Sequence, residues 1–256
     1  RALMLQGWDV LAWNFRSCGG VMNHQPRFYH SGATEDLHLV VSYALRGSYR
    51  RLDLAGFSMG GNLTLLYLAQ LGRYADQRLG GAVAYSVPVD LAGSARMLAL
   101  PSRKIYMKRF LQDLQEKMQA KAQSFPEFID TTGFERIRNF QQFDNRYTAP
   151  LHGFENADHY WQSCSALPRL KGIRVPALLV NAADDPFLSA DCYPRSADVL
   201  GPCVRMEVPR WGGHVGFVQR SGNGLYWSEQ RAVRFFQASP DSSGSSRGQT
   251  LSSNSG

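Results

Sequence analysis

The chain has 256 residues, 44% hydrophobic and 19% charged, which is enough apolar side chain for one large domain or two small ones and too much for a disordered or fibrous protein. No uninterrupted apolar stretch nears the ~18 to 20 residues of a membrane-spanning helix, so the sequence reads as soluble, with no transmembrane segment. Twenty-eight Lys and Arg against 21 Asp and Glu leave a net charge of +7. The densest basic group (Arg103, Lys104, Lys108, Arg109, Lys117, Lys121) follows one amphipathic stretch. It reads as a solvated helix face, and no nucleic-acid partner is predicted.

The four cysteines, Cys18, Cys164, Cys192 and Cys203, fall at irregular gaps with no C-x-x-C pair. That spacing argues against a disulfide framework or zinc knuckle and fits a reducing, cytoplasmic location. The first ten residues read as mid-helix without an initiator Met, so a natural N-terminus is expected upstream. Trp8 to Asn14 is the first predicted strand. A helix is predicted over Thr34 to Leu45, with Thr34 as N-cap and Glu35 and Asp36 in the first turn, where their charge suits the helix dipole. Further strands are predicted at Leu52 to Phe57, Ala82 to Val87, Ala177 to Asn181 and Val204 to Val208, all short and mostly apolar, as strands buried on both faces are. Helices are predicted over Gly60 to Leu71 and Gly224 to Gln237. The alternation implies an α/β fold with a mainly parallel sheet and helices on both faces.

From about 92 to 170 no strand pattern occurs, and the stretch reads as several helices. Tyr106, Phe110, Leu114 and Met118 mark an apolar stripe. An insertion of ~75 residues between two strands is read either as helices packed on the body or as a cap over a binding pocket. One domain is thus expected over 1–238, with the insertion inside it. Residues 239–256, rich in Ser and Gly, read as a disordered tail.

Gly56-Phe57-Ser58-Met59-Gly60 follows a predicted strand and opens a predicted helix. G-x-S-x-G in that setting is a nucleophile elbow, a turn so tight that the residues two before and two after the serine must be small. A serine hydroxyl needs a base, and the base needs an orienting carboxylate, in the chain order Ser, acid, His. Two loops follow predicted strands downstream: Ala182-Ala183-Asp184-Asp185-Pro186-Phe187 and Trp211-Gly212-Gly213-His214. The carboxyl ends of strands are where open α/β sheets bind ligands. His214 is therefore the base. Asp185 is preferred as the acid, Asp184 is its alternative, and Asp90 is a third candidate. His24, His30, His38, His152 and His159 have no comparable placement and form no metal-binding spacing, so neither metal nor cofactor is predicted.

The strings NFRSCGG, YHSGATEDL, GFSMGGN, FDNRYTAPLHGF, ADHYWQSCSALPRLKGIRVPALLVNAADDPF and GGHVGF, in this order, resemble the YheT-like branch of the α/β-hydrolase fold over roughly Gly7 to Phe236. The resemblance implies Ser58 as nucleophile, Asp185 or its neighbour as acid and His214 as base. It also implies activity as an esterase, phospholipase or alcohol acyltransferase on a small acyl ester or lipid-like substrate. FDNRYTAPLHGF falls in what the family uses as a cap, and its Asp144 and His152 are read as structural.

The sequence departs from the family at its start. The family opens with two or three more strands and a His-Gly motif whose backbone N–H helps form the oxyanion hole; of that pair only the Met59 N–H is present here. Losing one oxyanion donor costs about 10²- to 10³-fold in kcat. The leading expectation is a serine hydrolase of carboxylic esters. Its rivals are an acyltransferase using the same triad and a catalytically crippled fragment that binds ligand only.

Overall fold

The computed structural model describes residues 1–218 and 224–239. Four strands, β1 (Leu52–Phe57), β2 (Leu79–Tyr85), β3 (Ala177–Val180) and β4 (Val204–Glu207), form one parallel sheet in the order β1-β2-β3-β4. β2 and β3 are buried along their whole length, which explains their unbroken apolar sequence. Their side chains alternate between two cores. Ala82, Ala84, Ala177 and Leu179 face a cluster that includes Leu65, Leu66 and Leu68 of helix α2 (Met59–Leu71) and Leu37 and Val41 of helix α1 (Thr34–Leu45). Val83, Tyr85, Leu178 and Val180 meet Phe235 and Phe236 of the C-terminal helix Trp227–Ala238 on the other face. Leu65 and Leu68 are fully buried, a setting in which truncation to Ala costs about 2–5 kcal/mol.

The predicted strand at Trp8 to Asn14 does not form. Among the described residues no strand pairs with it, and a strand is held by its ladder partner rather than by its own propensity. Val10 and Leu11 are exposed, while Trp8 packs on Phe236 and Trp13 on Phe15. β1 is consequently an edge, with Phe57 at 47% exposure. The helix predicted from Thr34 begins there, but Ala33 occupies the cap position and no side chain caps it. Thr34 is instead the first helical residue, ahead of Glu35 and Asp36. The C-terminal helix starts at Trp227 rather than Gly224, where the Glu229 carboxylate accepts the Tyr226 N–H at 2.9 Å. The predicted tail lies outside the described residues beyond Ser239.

Between β2 and β3 the chain is helical. α3 (Leu91–Leu98), α4 (Lys104–Ser124) and the helix Ala157–Cys164 are joined by shorter turns. Phe28, Met107, Leu111, Met118, Phe134 and Phe143 belong to a core separate from those of the sheet. In α4 the buried apolar residues are Met107, Leu111, Leu114 and Met118, while Tyr106 of the predicted stripe is 47% exposed. A four-residue spacing overshoots the 3.6-residue turn, so three such steps rotate the stripe by about 120°, and the buried face passes from 110 and 106 to 111 and 107. The predicted solvated basic face is also only partly solvated. Lys121 is fully buried, donating to the Gln25 carbonyl at 2.7 Å and the Asn23 Oδ1 at 2.8 Å.

Candidate active site

β1 ends at Phe57 and α2 begins at Met59, so Ser58 makes the reversal between them. It adopts φ 51 and ψ −121, a strained conformation for an L-residue. Its N–H donates to the Tyr85 carbonyl at 2.8 Å, and its own carbonyl accepts from the Gly61 and Asn62 N–H groups at 2.9 and 3.1 Å. A Cβ on Gly56 would overlap the Gly60 carbonyl oxygen and lie 2.6 Å from its carbon, so only glycine fits there. At Gly60 the nearest atom to an added Cβ is Phe15 Cζ at 3.8 Å, an ordinary contact. The second tight position is Gly61, where a Cβ would meet Val87 Cγ2 at 2.6 Å. The smallness predicted two residues after the serine is thus required one residue later.

The structure brings His214 and Asp185 to Ser58. His214 Nε2 lies 2.9 Å from Ser58 Oγ, and His214 Nδ1 lies 2.9 and 3.1 Å from the two Asp185 oxygens. The Asp185 side chain is fully buried, and that of His214 is 15% exposed. With an acceptor at Nδ1, that nitrogen carries the proton, which leaves the Nε2 lone pair for the serine hydroxyl. Asp185 Oδ1 also accepts the Phe187 N–H at 3.0 Å, and the Phe187 ring lies 4.3 Å from the imidazole. Asp184 points elsewhere, accepting the Gly213 N–H at 2.8 Å. Asp90 caps α3, accepting from Gly93 N–H at 3.1 Å and Ser189 O–H at 2.9 Å. The His214 loop is itself strained: Val215 and Phe217 have φ of 61 and 43. It is pinned by Asp184, by the Val215 N–H donating to Ser86 Oγ at 2.8 Å, and by the buried Phe217 ring stacked on Trp227.

A cavity of about 740 Å³ opens on this group, within the 300–1,000 Å³ range of small-molecule sites. Ser58, Met59 and His214 line it together with mostly apolar side chains, among them Leu98, Phe110 and Phe143 from the helices between β2 and β3. Met59 is the first residue of α2, and N–H groups in a first helical turn have no intrahelical acceptor. One wall carries Asp144, whose carboxylate accepts from Trp161 Nε1 at 2.9 Å and Thr148 Oγ1 at 2.5 Å. Burial pushes its carboxyl up to about 6. His30, also on the wall, lies 4.4 Å from the His152 ring. Burial, and then His30 beside it, holds His152 down at about 3, and its Nε2 is buried without a hydrogen-bond partner among the described residues. Among the described residues no three His, Cys, Asp or Glu side chains are grouped to hold a metal, and no helix is long and apolar enough to cross a membrane.

A model of the alpha/beta hydrolase family matches residues 1–224. The chain belongs to this family. It is 33% identical over 224 residues to the Escherichia coli protein named Putative esterase YheT, covering 85% of this chain and 64% of that one. It is 30% identical to mouse phospholipase ABHD3 (83% and 52%) and 29% identical to a monoacylglycerol lipase of Saccharomyces cerevisiae (90% and 52%). The chain therefore spans about half to two thirds of the length of these relatives. Among solved structures, the Pyrococcus furiosus esterase Pf2001 superposes with a TM-score of 0.56 at 17% identity, over 93% of this chain and 72% of that one, a likeness of fold.

Two side chains that organise this alpha/beta hydrolase site, Asn62 and Asn181, carried no role in the sequence reading, and a third, Asp144, was read there as structural. Asn62, fully buried at the end of the GFSMGGN string, donates to the Ser31 and Cys164 carbonyls at 3.0 and 2.8 Å and accepts the Ala166 N–H at 3.0 Å. Asn181 grips Val87 through both its N–H and its carbonyl and donates to the Cys192 carbonyl. Asp144 stands in the cavity wall. Only Asn181, directly after β3, stood at a strand end where the sequence offered a signal; Asn62 inside α2 and Asp144 in the insertion offered none.

Proposed function

We propose that this chain hydrolyses carboxylic esters through Ser58, His214 and Asp185. Ser58 Oγ attacks the acyl carbonyl carbon while His214 Nε2 takes its proton, and Asp185 holds the resulting imidazolium. The oxyanion faces the Met59 N–H at the positive end of α2. The C–O bond to the alcohol then breaks, His214 protonates the departing alkoxide, and an acyl-Ser58 intermediate remains. Water, deprotonated by the same imidazole, releases the carboxylic acid and restores the serine. The helical insertion acts as the cap: Leu98, Phe110 and Phe143 supply apolar wall for an acyl chain. A small acyl ester or lipid-like molecule is the substrate class, in keeping with relatives named esterase, phospholipase and monoacylglycerol lipase.

The observation that carries this reading is the unbroken chain from Asp185 through His214 to Ser58, closed at 2.9 Å on both sides of the imidazole beside an apolar cavity. The test is labelling by a fluorophosphonate probe together with hydrolysis of a p-nitrophenyl acyl ester. Ser58→Ala is expected to abolish both, and an ester turnover that survives the substitution overturns the assignment. Product analysis with added alcohol separates transfer to water from transfer to an alcohol.

A further inference from the structure

The outer face of the insertion is the least expected surface of the molecule. From Leu91 to Gln112 the sequence holds five basic residues, Arg96, Arg103, Lys104, Lys108 and Arg109, and no acidic one. Arg103 donates to the Pro186 carbonyl and Arg109 pairs with Asp113. Arg96, Lys104 and Lys108 are exposed, with no acidic partner among the described residues. Lys104 is the first residue of α4, where the helix dipole opposes positive charge, and Lys108 follows one turn on, with no acidic residue in those two turns. Among them stand apolar side chains in water: Ile105 at 84% exposure, Tyr106 at 47% and Leu100 at 41%. Three exposed cations without an acidic partner among the described residues, one of them set against a helix dipole, interleaved with uncovered apolar groups, fit an amphipathic surface whose partner is apolar and anionic.

The face is also close to the chemistry. Tyr106 packs on Phe187 with ring centroids 4.8 Å apart, and Phe187 lies against His214. The same two helices line the cavity on their inner side with Leu91, Leu98 and Phe110.

We propose that the end of α3 and the first two turns of α4 dock on an anionic lipid bilayer, with Leu100, Ile105 and Tyr106 entering the headgroup boundary and Arg96, Lys104 and Lys108 facing acidic headgroups. Charge complementarity selects this occupant, since a neutral apolar partner gains nothing from the lysines. The inference deepens the ester-hydrolase reading, on which it rests for its purpose: a cavity built for acyl esters is set at a surface that contains them.

The experiment is co-sedimentation with vesicles of phosphatidylcholine alone and of phosphatidylcholine with phosphatidylserine, at low and high salt. The expected result is binding to the anionic vesicles only, weakened by salt. Lys104→Glu with Lys108→Glu is expected to weaken partition at least about 25-fold, from roughly fivefold per basic charge removed. Ile105→Ser is expected to weaken it without changing salt dependence. Both variants should keep Ser58 labelling and turnover of a short soluble ester, which shows that they fold. Equal binding to neutral vesicles, no binding at low salt, or a doubly substituted variant that binds like the parent overturns the proposal. A change of oligomeric state in Ile105→Ser overturns it as well, by assigning the face to a second copy. If Ser58 proves unreactive while vesicle binding follows the expected pattern, the ester-hydrolase reading falls and the docking surface stands.

Discussion

The elbow makes a sharp prediction because its two motif glycines, equivalent in the sequence pattern, are unequal in space. In Gly56→Ala the new methyl overlaps the Gly60 carbonyl oxygen and sits 2.6 and 2.8 Å from Gly60 C and Gly61 Cα, all backbone atoms with no rotamer to yield. The turn has to open, at a cost of about 1–3 kcal/mol for overpacking. Because Ser58 stands between the displaced atoms, its 2.9 Å contact to His214 Nε2 is lost, and a misplacement of about 1 Å costs on the order of 10²-fold in rate. In Gly60→Ala the methyl meets only Phe15 Cζ at 3.8 Å, and the residue lies in the first turn of α2. Removing a glycine's freedom at a compatible helical position stabilises by about 0.4–1 kcal/mol. Urea unfolding and the rate of fluorophosphonate labelling read the two effects separately. Gly56→Ala should be less stable and label about a hundredfold more slowly, while Gly60→Ala should be as stable or more so and label normally. Equal losses in both variants, or normal labelling in Gly56→Ala, would refute the elbow geometry.

Asp185→Asn should lower ester turnover by about 10⁴-fold through the wrong imidazole tautomer, whereas Asp184→Asn, at a carboxylate that takes the Gly213 N–H rather than the imidazole, should cost far less; steady-state kinetics of the two decide it. Asp144 is raised from 3.8 to about 6 by burial, so its contribution is present below pH 3.8 and lost as pH rises through 6. Across that window it amounts to on the order of 2–3 kcal/mol. Asp144→Asn should remove that slope from urea midpoints measured between pH 4 and 7. His152 is depressed, so its contribution is full above pH 6.5 and is lost as pH falls toward 3. His152→Phe should therefore flatten the acid limb of the same curve, and an unchanged limb would show that the imidazole is not held neutral.

How much of this was legible in the sequence depended on how local the determining physics is. β1, β3 and β4 and helices α1 and α2 were read to within a residue or two: β3 is buried throughout and writes an unbroken apolar run, α1 buries one face through Leu37 and Val41, and the part-exposed β1 and β4 and the buried α2 were bounded by the polar and glycine residues at their ends. Trp8 to Asn14 carries the same run but forms no strand, since pairing is a property of two segments and one segment's sequence cannot report the other. At the site, the positions of Ser58 and His214 after strands were legible. The sequence preferred Asp185 to Asp184 but left the neighbour open, because adjacent residues in a turn differ in direction rather than in composition; in the structure it is the Asp185 carboxylate that faces His214 and the Asp184 carboxylate that takes the Gly213 N–H. Lys121 was hidden for a related reason: its charge reads as solvent-facing until the loop carrying Asn23 and Gln25 is folded over it.

The helical insertion is joined to the sheet through a hydrogen-bonded neck. Its entry and exit are tied to each other, with the Leu91 N–H donating to Ser165 Oγ at 3.0 Å and the Leu167 N–H to the Val89 carbonyl at 3.0 Å. The neck is then fastened to the elbow helix by Asn62, which holds Cys164 and Ala166 on one side and Ser31 on the other. A buried amide making three such bonds cannot lose one cheaply, since each orphaned backbone group costs about 1–3 kcal/mol. The wall of the cavity farther out rests on the insertion's own core around Phe143, Met118 and Phe134. Two functions are therefore separated in the fold. Changes at Phe110 or Phe143 alter the volume of the cavity while leaving Ser58 in place, and changes at Asn62 move cavity and Ser58 together.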